Sequence, residues 1–418
     1  MNRLLQRLIG RLVRKGALLV TDAAGQTHSF GDGSGQPVHM EIRSSRSERA
    51  IALNPMLAFP EAYMDEEVNF RRGGIYAFFQ VIYQNVGTGG SRTVWIPAFE
   101  EIRDVFRRLQ QINTMDRTRR NVARHYDLSS TMYRLFLDGD MQYSCAYFED
   151  PGLSLEEAQL AKKRHIAAKL RLEPGQSVLD IGSGWGGLGL YMARNFDVGV
   201  LGVTLSGEQQ ALANERARNE GLAEQVSFEL LDYRHLSATF DRIVSVGMFE
   251  HVGLNHYRTF LGKCAALLKP DGVMLLHTIG VSGPPRATSS FIRKHIFPGG
   301  YIPALSEILP VIEKTGLIVT DVEVLRLHYA ETLRCWRERF AANRVEAKKI
   351  YDERFCRMWE LYLAVSETMF RRQDYVVFQI QLSRRKDTIP VTRNYINETE
   401  CRLAGQDDAR TPVTQAAQ

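Results

Sequence analysis

The sequence predicts an α/β protein: a doubly wound, mainly parallel sheet with a helical lid, preceded by a smaller mixed domain. Three observations predict it. From about residue 155, apolar strand-length runs alternate with helix-length segments; a glycine-rich turn follows the first such run; and before about residue 115 the alternation gives way to short strands, turns and one basic helix. At 418 residues the chain suits two domains, and 44% hydrophobic with 24% charged residues supports a sizeable core and excludes wholesale disorder. No run of about 18 apolar residues occurs, so no bilayer-spanning helix is expected.

The N-terminal elements come first. Before Asp22 the chain carries Arg3, Arg7, Arg11, Arg14 and Lys15 and no acidic residue, interleaved at helical spacing with Leu4, Leu5, Leu8, Ile9, Leu12 and Val13. Such a helix has one cationic and one apolar side. It either lies on an anionic membrane surface or packs on its own domain with the basic side in water. Residues 17–21 and 38–43 read as strands flanking a glycine-rich turn at 31–35, followed by a mixed stretch holding Tyr63, Phe70, Tyr76, Phe78 and Phe79. Residues 100–113 read as a helix, and a basic run (Arg117, Arg119, Arg120, Arg124) marks the passage from a domain over 1–115 to one over 116–390. No signal-peptide pattern is visible at the N-terminus, and five widely spaced cysteines without a Cys-x-x-Cys pair speak against a zinc cluster or a disulfide framework. A reducing, cytoplasmic setting is expected. The net charge of +5 permits anionic partners without choosing between nucleic acid and lipid.

In the second domain, a helix over 155–170 stops at Glu173-Pro174-Gly175. Strands are expected at 177–182, 198–203, 226–231, 240–246 and 272–279, with helices at 187–195 and 207–219. Two late strands, 317–324 and 375–382, are separated by a helical stretch over 330–372 that reads as a lid or side wall. The segment after Ser383 is polar and expected to be loosely held, with 391–418 as a tail.

The chemistry sits in the turn Asp180-Ile-Gly182-Ser-Gly184-Trp-Gly186-Gly187. Glycines let a ligand approach the backbone, and the following helix contributes N–H groups. A dinucleotide fingerprint would want Gly-x-Gly-x-x-Gly and an acid ending the second strand. This chain has Gly-x-Gly-x-Gly preceded by Asp180, and its second strand runs into Thr204, Leu205 and Gln209 without an acid. A carboxylate before the glycines suits an ammonium group and repels a pyrophosphate. S-adenosylmethionine has that ammonium and no phosphate.

Together with Val203-Thr-Leu-Ser-Gly-Glu-Gln209, Ser245-Val-Gly-Met-Phe-Glu-His-Val-Gly253, Tyr126-Asp-Leu-Ser129, Gln142-Tyr-Ser-Cys-Ala-Tyr147 and Leu275-Leu-His-Thr-Ile-Gly280, this turn resembles the cyclopropane-fatty-acid synthases over roughly residues 120–385. The resemblance implies a Rossmann-like class I methyltransferase sheet and methylation of cis double bonds in phospholipid acyl chains. It puts S-adenosylmethionine against Tyr143, Ser144, the turn residues Asp180, Gly182, Gly184, Gly186 and Gly187, then Thr204, Leu205 and Gln209, with Gln209 on the ribose. Asp232 and Tyr233 fall where such enzymes hold the adenine. It further implies a bound bicarbonate as base, held by Cys145, Glu250, His277, the Ile279 backbone and Tyr329. Its hydroxyl would donate to Glu250 while His277, Tyr329 and the Ile279 amide donate to its oxygens. Some members carry a cysteine late in the lid, where Ser366 stands here. Unsaturated phospholipid at the inner membrane face becomes the expected partner, the basic N-terminal helix a membrane contact, its domain a lipid-binding one, and a homodimer possible by analogy.

Each residue also has a plain reading: Cys145 as a small buried hydrophobe, Glu250 as a helix cap, His277 as a core histidine, Tyr329 as lid packing, Asp232-Tyr233 as a strand-end turn. Their joint place at strand carboxyl ends favours a site. Two other functions stay in view. The same parts serve methyl- or methylene-branched products. A nucleic-acid methyltransferase is disfavoured, because Gly247-Met-Phe-Glu-His-Val lacks the Asn/Asp-Pro-Pro-Tyr type of amino-directed base methylases and no RNA-binding motif accompanies the charge.

Overall fold

The structure, a computed structural model, describes residues 1–86 and 129–410. The expected helix at 100–113, the basic run, the domain passage and Tyr126 of the family motif lie outside the described residues.

The N-terminal domain opens with α1 (Arg3–Leu12), capped by the Asn2 side chain, which accepts from the Leu4 and Leu5 amides. A four-stranded sheet follows in the order β2-β1-β3-β4: β1 (Leu18–Thr21), β2 (Thr27–Phe30), β3 (Val38–Ile42) and β4 (Val68–Arg72). Leu18, Val20, Val38, Met40 and Ile42 alternate onto its buried face, where α2 (Ser45–Leu53), α3 (Pro55–Met64) and α4 (Gly74–Asn85) complete the core. Of the two readings of α1, its packing supports in part the one on its own domain: Leu5 is buried and Ile9 and Leu12 pack on the domain's core, while Leu4 stays exposed. Arg3, Arg7, Arg11, Arg14 and Lys15 are exposed.

The second domain carries a seven-stranded sheet in the order β10-β11-β9-β8-β5-β6-β7. Its strands are β5 (Ser177–Ile181), β6 (Gly199–Thr204), β7 (Val226–Leu230), β8 (Phe240–Val246), β9 (Leu268–Val281), β10 (Ile318–Leu325) and β11 (Tyr375–Ser383). β5 to β9 are parallel, and β11 enters antiparallel between β9 and β10. The sheet is therefore parallel only up to β9; the late pair forms an antiparallel edge, as doubly wound sheets accommodate. Helices α5 (Ser130–Arg134), α6 (Leu155–Leu170), α7 (Gly187–Phe196), α8 (Gly207–Asn219), α9 (Tyr257–Leu267) and α10 (Leu305–Ile312) flank it. α6 begins with a capping box between Ser154 and Glu157 and ends at Arg171 in the left-handed region, just before Pro174.

The expected lid is three helices: α11 (His328–Ala342), α12 (Arg344–Ile350) and α13 (Glu353–Arg372). α13 docks on the N-terminal domain, where Tyr76 donates to Glu367 (2.6 Å) and Arg357 donates to the Tyr63 and Val68 carbonyls. One apolar cluster runs from the N-terminal sheet through these helices to Cys145 and Trp185. The segment expected to be loose contains α14 (Asn394–Arg410) instead. Ile396 and Leu403 are buried, and Asp407 meets Arg164 of α6 and the Tyr191 hydroxyl of α7. Its apolar residues are too sparse to stand out from the polar background. Among the described residues no helix is long and apolar enough to cross a membrane.

Candidate active site

At the carboxyl ends of β5, β6 and β8 the turns leave a cleft, the usual ligand position of such sheets. It is lined by Tyr143, Ser144, Asp180, Gly182, Gly184, Thr204, Leu205, Gln209, Asp232 and Tyr233. All were expected as cofactor residues. Gly186 and Gly187 are not on its wall. Gly186 has φ +84° and a Cβ there would meet the Phe228 ring at 2.7 Å; a Cβ on Gly187 would lie 2.4 Å from Asp140 and Gln142 side-chain atoms. These two glycines seat the start of α7. Gly184, with φ +54° and nothing within 4 Å of its Cβ direction, is the one that leaves room.

The lining side chains are held in place. Gln209 Oε1 accepts from the Thr204 hydroxyl at 2.8 Å, and its Nε2 has no recorded partner among the described residues. Asp180 is buried, which pushes its carboxyl up to about 7 against the opposing pull of Lys162. Asp232 has both carboxylate oxygens engaged by Arg234, leaving it less free for a ligand than expected. Ser183 Oγ and Trp185 Nε1, both on the wall, are buried without a hydrogen-bond partner. The buried Asp180 carboxyl on the wall suits a ligand's ammonium group, whereas the Trp185 N–H, a donor only, calls for an acceptor.

Glu250 sits in the turn after β8 whose Gly247, Met248 and His251 line the same cleft. Glu250 Oε1 accepts from the Ile279 amide at 2.6 Å, whereas Oε2 is buried with no partner. Burial raises this carboxyl to about 7, opposed by the Ile279 hydrogen bond. The Ile279 amide is thus on Glu250, not free for an anion as expected. His277 stands two residues earlier on β9, wholly buried and pushed down to about 3 by desolvation, so its ring is neutral.

Cys145 is buried, its Sγ–H donates to the Ala146 carbonyl at 3.3 Å, and burial raises its thiol well above the ordinary range. Tyr329 packs edge-on to Trp336 and tilted against Phe370. Tyr143 hydrogen-bonds the Tyr362 hydroxyl (3.0 Å) and continues this aromatic wall through Tyr133 to Trp185.

Lys162 was missed. It is buried on α6, its Nζ donates to Gln142 Oε1 (2.7 Å) and Ser144 Oγ (2.8 Å), and its charge acts on Cys145, Asp180 and His277 alike. Desolvation lowers its ammonium to about 8. It ties the expected catalytic residues to the cofactor cleft. A partial signal existed: Lys162, His165 and Lys169 recur at helical spacing on a helix that also carries Ala158, Ala161, Ile166 and Leu170 inward. Asp140 was missed too; Lys163 and Arg216 grip it and clamp the Asp140–Gln142 segment over the glycine turn.

The strand order, glycine turn and cleft define the class I fold of S-adenosylmethionine-dependent methyltransferases. Residues 113–380 match the family model described as mycolic acid cyclopropane synthetase, and the chain belongs to that family. Residues 7–89 match a domain described only as of unknown function. Among relatives, the cyclopropane-fatty-acyl-phospholipid synthase of Escherichia coli is 46% identical over 62% of this chain and 66% of its own length. The chain thus matches just under two thirds of that protein. The tuberculostearic acid methyltransferase of Mycobacterium tuberculosis is 36% identical over 80% of this chain and 81% of its own. The solved cyclopropane synthase structure from Mycobacterium tuberculosis superposes with TM-score 0.61 at 34% identity, covering 65% of this chain and 99% of that one. A mycolic acid cyclopropane synthase complexed with SAH and CTAB gives TM-score 0.60 at 36% identity, covering 63% and 97%.

Proposed function

We propose that the protein methylates the cis double bond of unsaturated acyl chains in membrane phospholipid and closes a cyclopropane ring, with a bound bicarbonate taking the proton. The observation that carries this reading is Glu250: a buried carboxylate fixed through one oxygen, with the other unengaged, next to a cleft suited to S-adenosylmethionine. When bound, that cofactor supplies an electrophilic methyl. Asp180 would face its ammonium, Gln209 its ribose, and Tyr143, Ser144, Thr204, Leu205, Asp232 and Tyr233 would enclose it.

An alkene is a poor nucleophile, so the chain must hold it in line and keep water out. The wall of Tyr133, Tyr143, Trp336 and Tyr329 does the second and offers ring faces to developing positive charge, worth up to about 2 kcal/mol each when desolvated. Rings cannot take a proton. The unengaged Glu250 oxygen would accept from the bicarbonate hydroxyl while neutral His277 and Tyr329 donate to its oxygens. Cys145 would close the wall, and the Ile279 amide would act by fixing the carboxylate. The exposed basic side of α1 would meet anionic headgroups by charge alone, at the inner membrane face, with a homodimer as the working assembly.

The test is labelled methyl transfer from S-adenosylmethionine to unsaturated phospholipid vesicles, with and without bicarbonate. Bicarbonate-dependent label in lipid, each product heavier by one CH2, is expected; no label in lipid overturns the reading. A second reading, a methyl-branched product, is favoured by the relatives named tuberculostearic acid methyltransferase and probable fatty acid methyltransferase. Products without a ring would select it.

A further inference from the structure

A line of buried polar side chains runs from α14 to His277, and the reaction as proposed makes no use of it. His277 on β9 and Gln379 on β11 are direct partners across the antiparallel pair, so their side chains leave the same face of the sheet. Both are buried. Gln379 Nε2 lies 3.2 Å from His277 Nδ1, and Gln379 Oε1 accepts from Lys169 Nζ at 2.8 Å. Lys169 is anchored in turn by Glu323, which takes a hydrogen bond from His165 Nε2 (2.7 Å); the other nitrogen of that ring meets Glu400 of α14.

This chain of contacts decides a proton position. An ammonium has donors only, so the Gln379 oxygen must face Lys169. Flipping the amide would set two donor groups against each other inside the core, away from water. With the oxygen so placed, the amide nitrogen faces His277. An NH2 group has no lone pair to offer, so Nδ1 must be the bare, accepting nitrogen. A neutral imidazole then carries its proton on Nε2.

We infer that Gln379, oriented by Lys169, is a positioning residue that locks His277 in its Nε2–H tautomer. That makes the ring's outer edge a standing donor to an anion and removes Nδ1 as a base. The tautomer assignment stands on the contacts alone; its consequence for catalysis rests on the proposed function. Burial that keeps the ring neutral acts in the same direction.

The test is a multiple-bond nitrogen–proton correlation spectrum of the full chain labelled at its histidine rings. The His277 signals are recognised by their absence from the spectrum of His277→Gln. In the unsubstituted protein Nδ1 should show the shift of a bare nitrogen and Nε2 that of a protonated one. A protonated Nδ1, or averaged shifts at both positions, overturns the inference. In Gln379→Met the single-tautomer pattern should be lost, and kcat for methyl transfer should fall about tenfold with KM for S-adenosylmethionine unchanged, the low end of what losing an orienting partner costs a liganding histidine. Lys169→Met, which frees the amide without touching the pair, should move both readouts the same way. Retained tautomer and full kcat in both variants would show that the ring is set otherwise. If the unsubstituted protein has the stated tautomer but labels no lipid, the proposed function falls and the assignment stands.

Discussion

The cofactor cleft and the surroundings of Glu250 lie at the same end of the sheet, at the carboxyl ends of its strands, and hold their groups in different ways. The cleft is backbone and pinned side chains: Gly184 leaves room, Thr204 holds Gln209, and Arg216 and Lys163 clamp Asp140 over the turn. Glu250 and His277 are forced toward neutrality by burial, Glu250 raised and His277 lowered; the cleft's Asp180 and Lys162 are shifted by burial too, but each feels the opposite charge of a neighbour. The difference teaches a division of labour. On the proposed function, affinity would come chiefly from preorganised polar contacts, and reactivity from Glu250 and His277, whose charge the fold disfavours.

The sharpest way to break that division is Glu250→Gln. Product formation should fall by about 10²–10⁴-fold, the range for loss of an acid–base partner, with cofactor affinity unchanged by calorimetric titration. Lost affinity with intact chemistry would place Glu250 in the cleft's half instead. Asp180→Asn is the converse. Losing a charge-assisted hydrogen bond should weaken S-adenosylmethionine binding by about 10–100-fold. Because Asp180 in the free protein takes up a proton near 7, affinity should also decline as pH drops below that point, and this decline should be absent in the variant.

Stability sharpens the comparison further. Folded Glu250 holds its proton up to about 7, whereas the unfolded side chain releases it near 4.5. The folded state therefore binds more protons across that window, and the wild-type chain loses stability as pH rises through it. Glutamine has no proton to lose. At pH 8 Glu250→Gln should be the more stable protein, by of the order of 2–3 kcal/mol, with the gap closing toward pH 4.5; denaturant melts at both pH values check it. Neutral burial of His251 and His277 acts the other way, its contribution being lost as pH falls from 6.5 toward about 4 and 3, and cancels in the comparison. The smallest effects separate two glycines. Gly187→Ala should cost about 1–3 kcal/mol in thermal melts by overpacking against Asp140 and Gln142. Gly184→Ala should cost about 1 kcal/mol for its left-handed backbone and show itself mainly as weaker cofactor binding.

Much of the second domain was legible because its signals are local. Strands β5 to β9, helices α6 to α8 and the glycine turn follow from apolar runs and punctuating glycines, and their boundaries fall within a few residues of those expected, apart from an earlier start to β9. The ten residues expected on the cleft wall follow from the glycine turn and from the other motifs that carry the family resemblance, most of them at successive strand ends, with Tyr143 and Ser144 in the loop before α6. What escaped were features set by partners distant in sequence. The antiparallel entry of β11 depends on which edge it finds. Lys162 and Lys169 look like ordinary helix charges until Ser144, Asp180, Glu323 and Gln379 surround them. α14 looked like a loose tail because its docking rests on a few apolar residues and on Asp407 and Glu400 meeting α6 and α7.

By itself the sequence determined the fold class and the position of the glycine turn, since strand periodicity and turn chemistry are properties of neighbours along the chain; Glu250 and His277 were singled out by the family resemblance of their motifs. Only the tertiary structure decided which oxygen of Glu250 stays unengaged, which way the Gln379 amide points, and that Leu5, Ile9 and Leu12 of α1 pack on its own domain. Each of those depends on hydrogen-bond partners or packed surfaces brought together from far along the chain, and burial makes the choice binding by removing the water that would otherwise satisfy either arrangement.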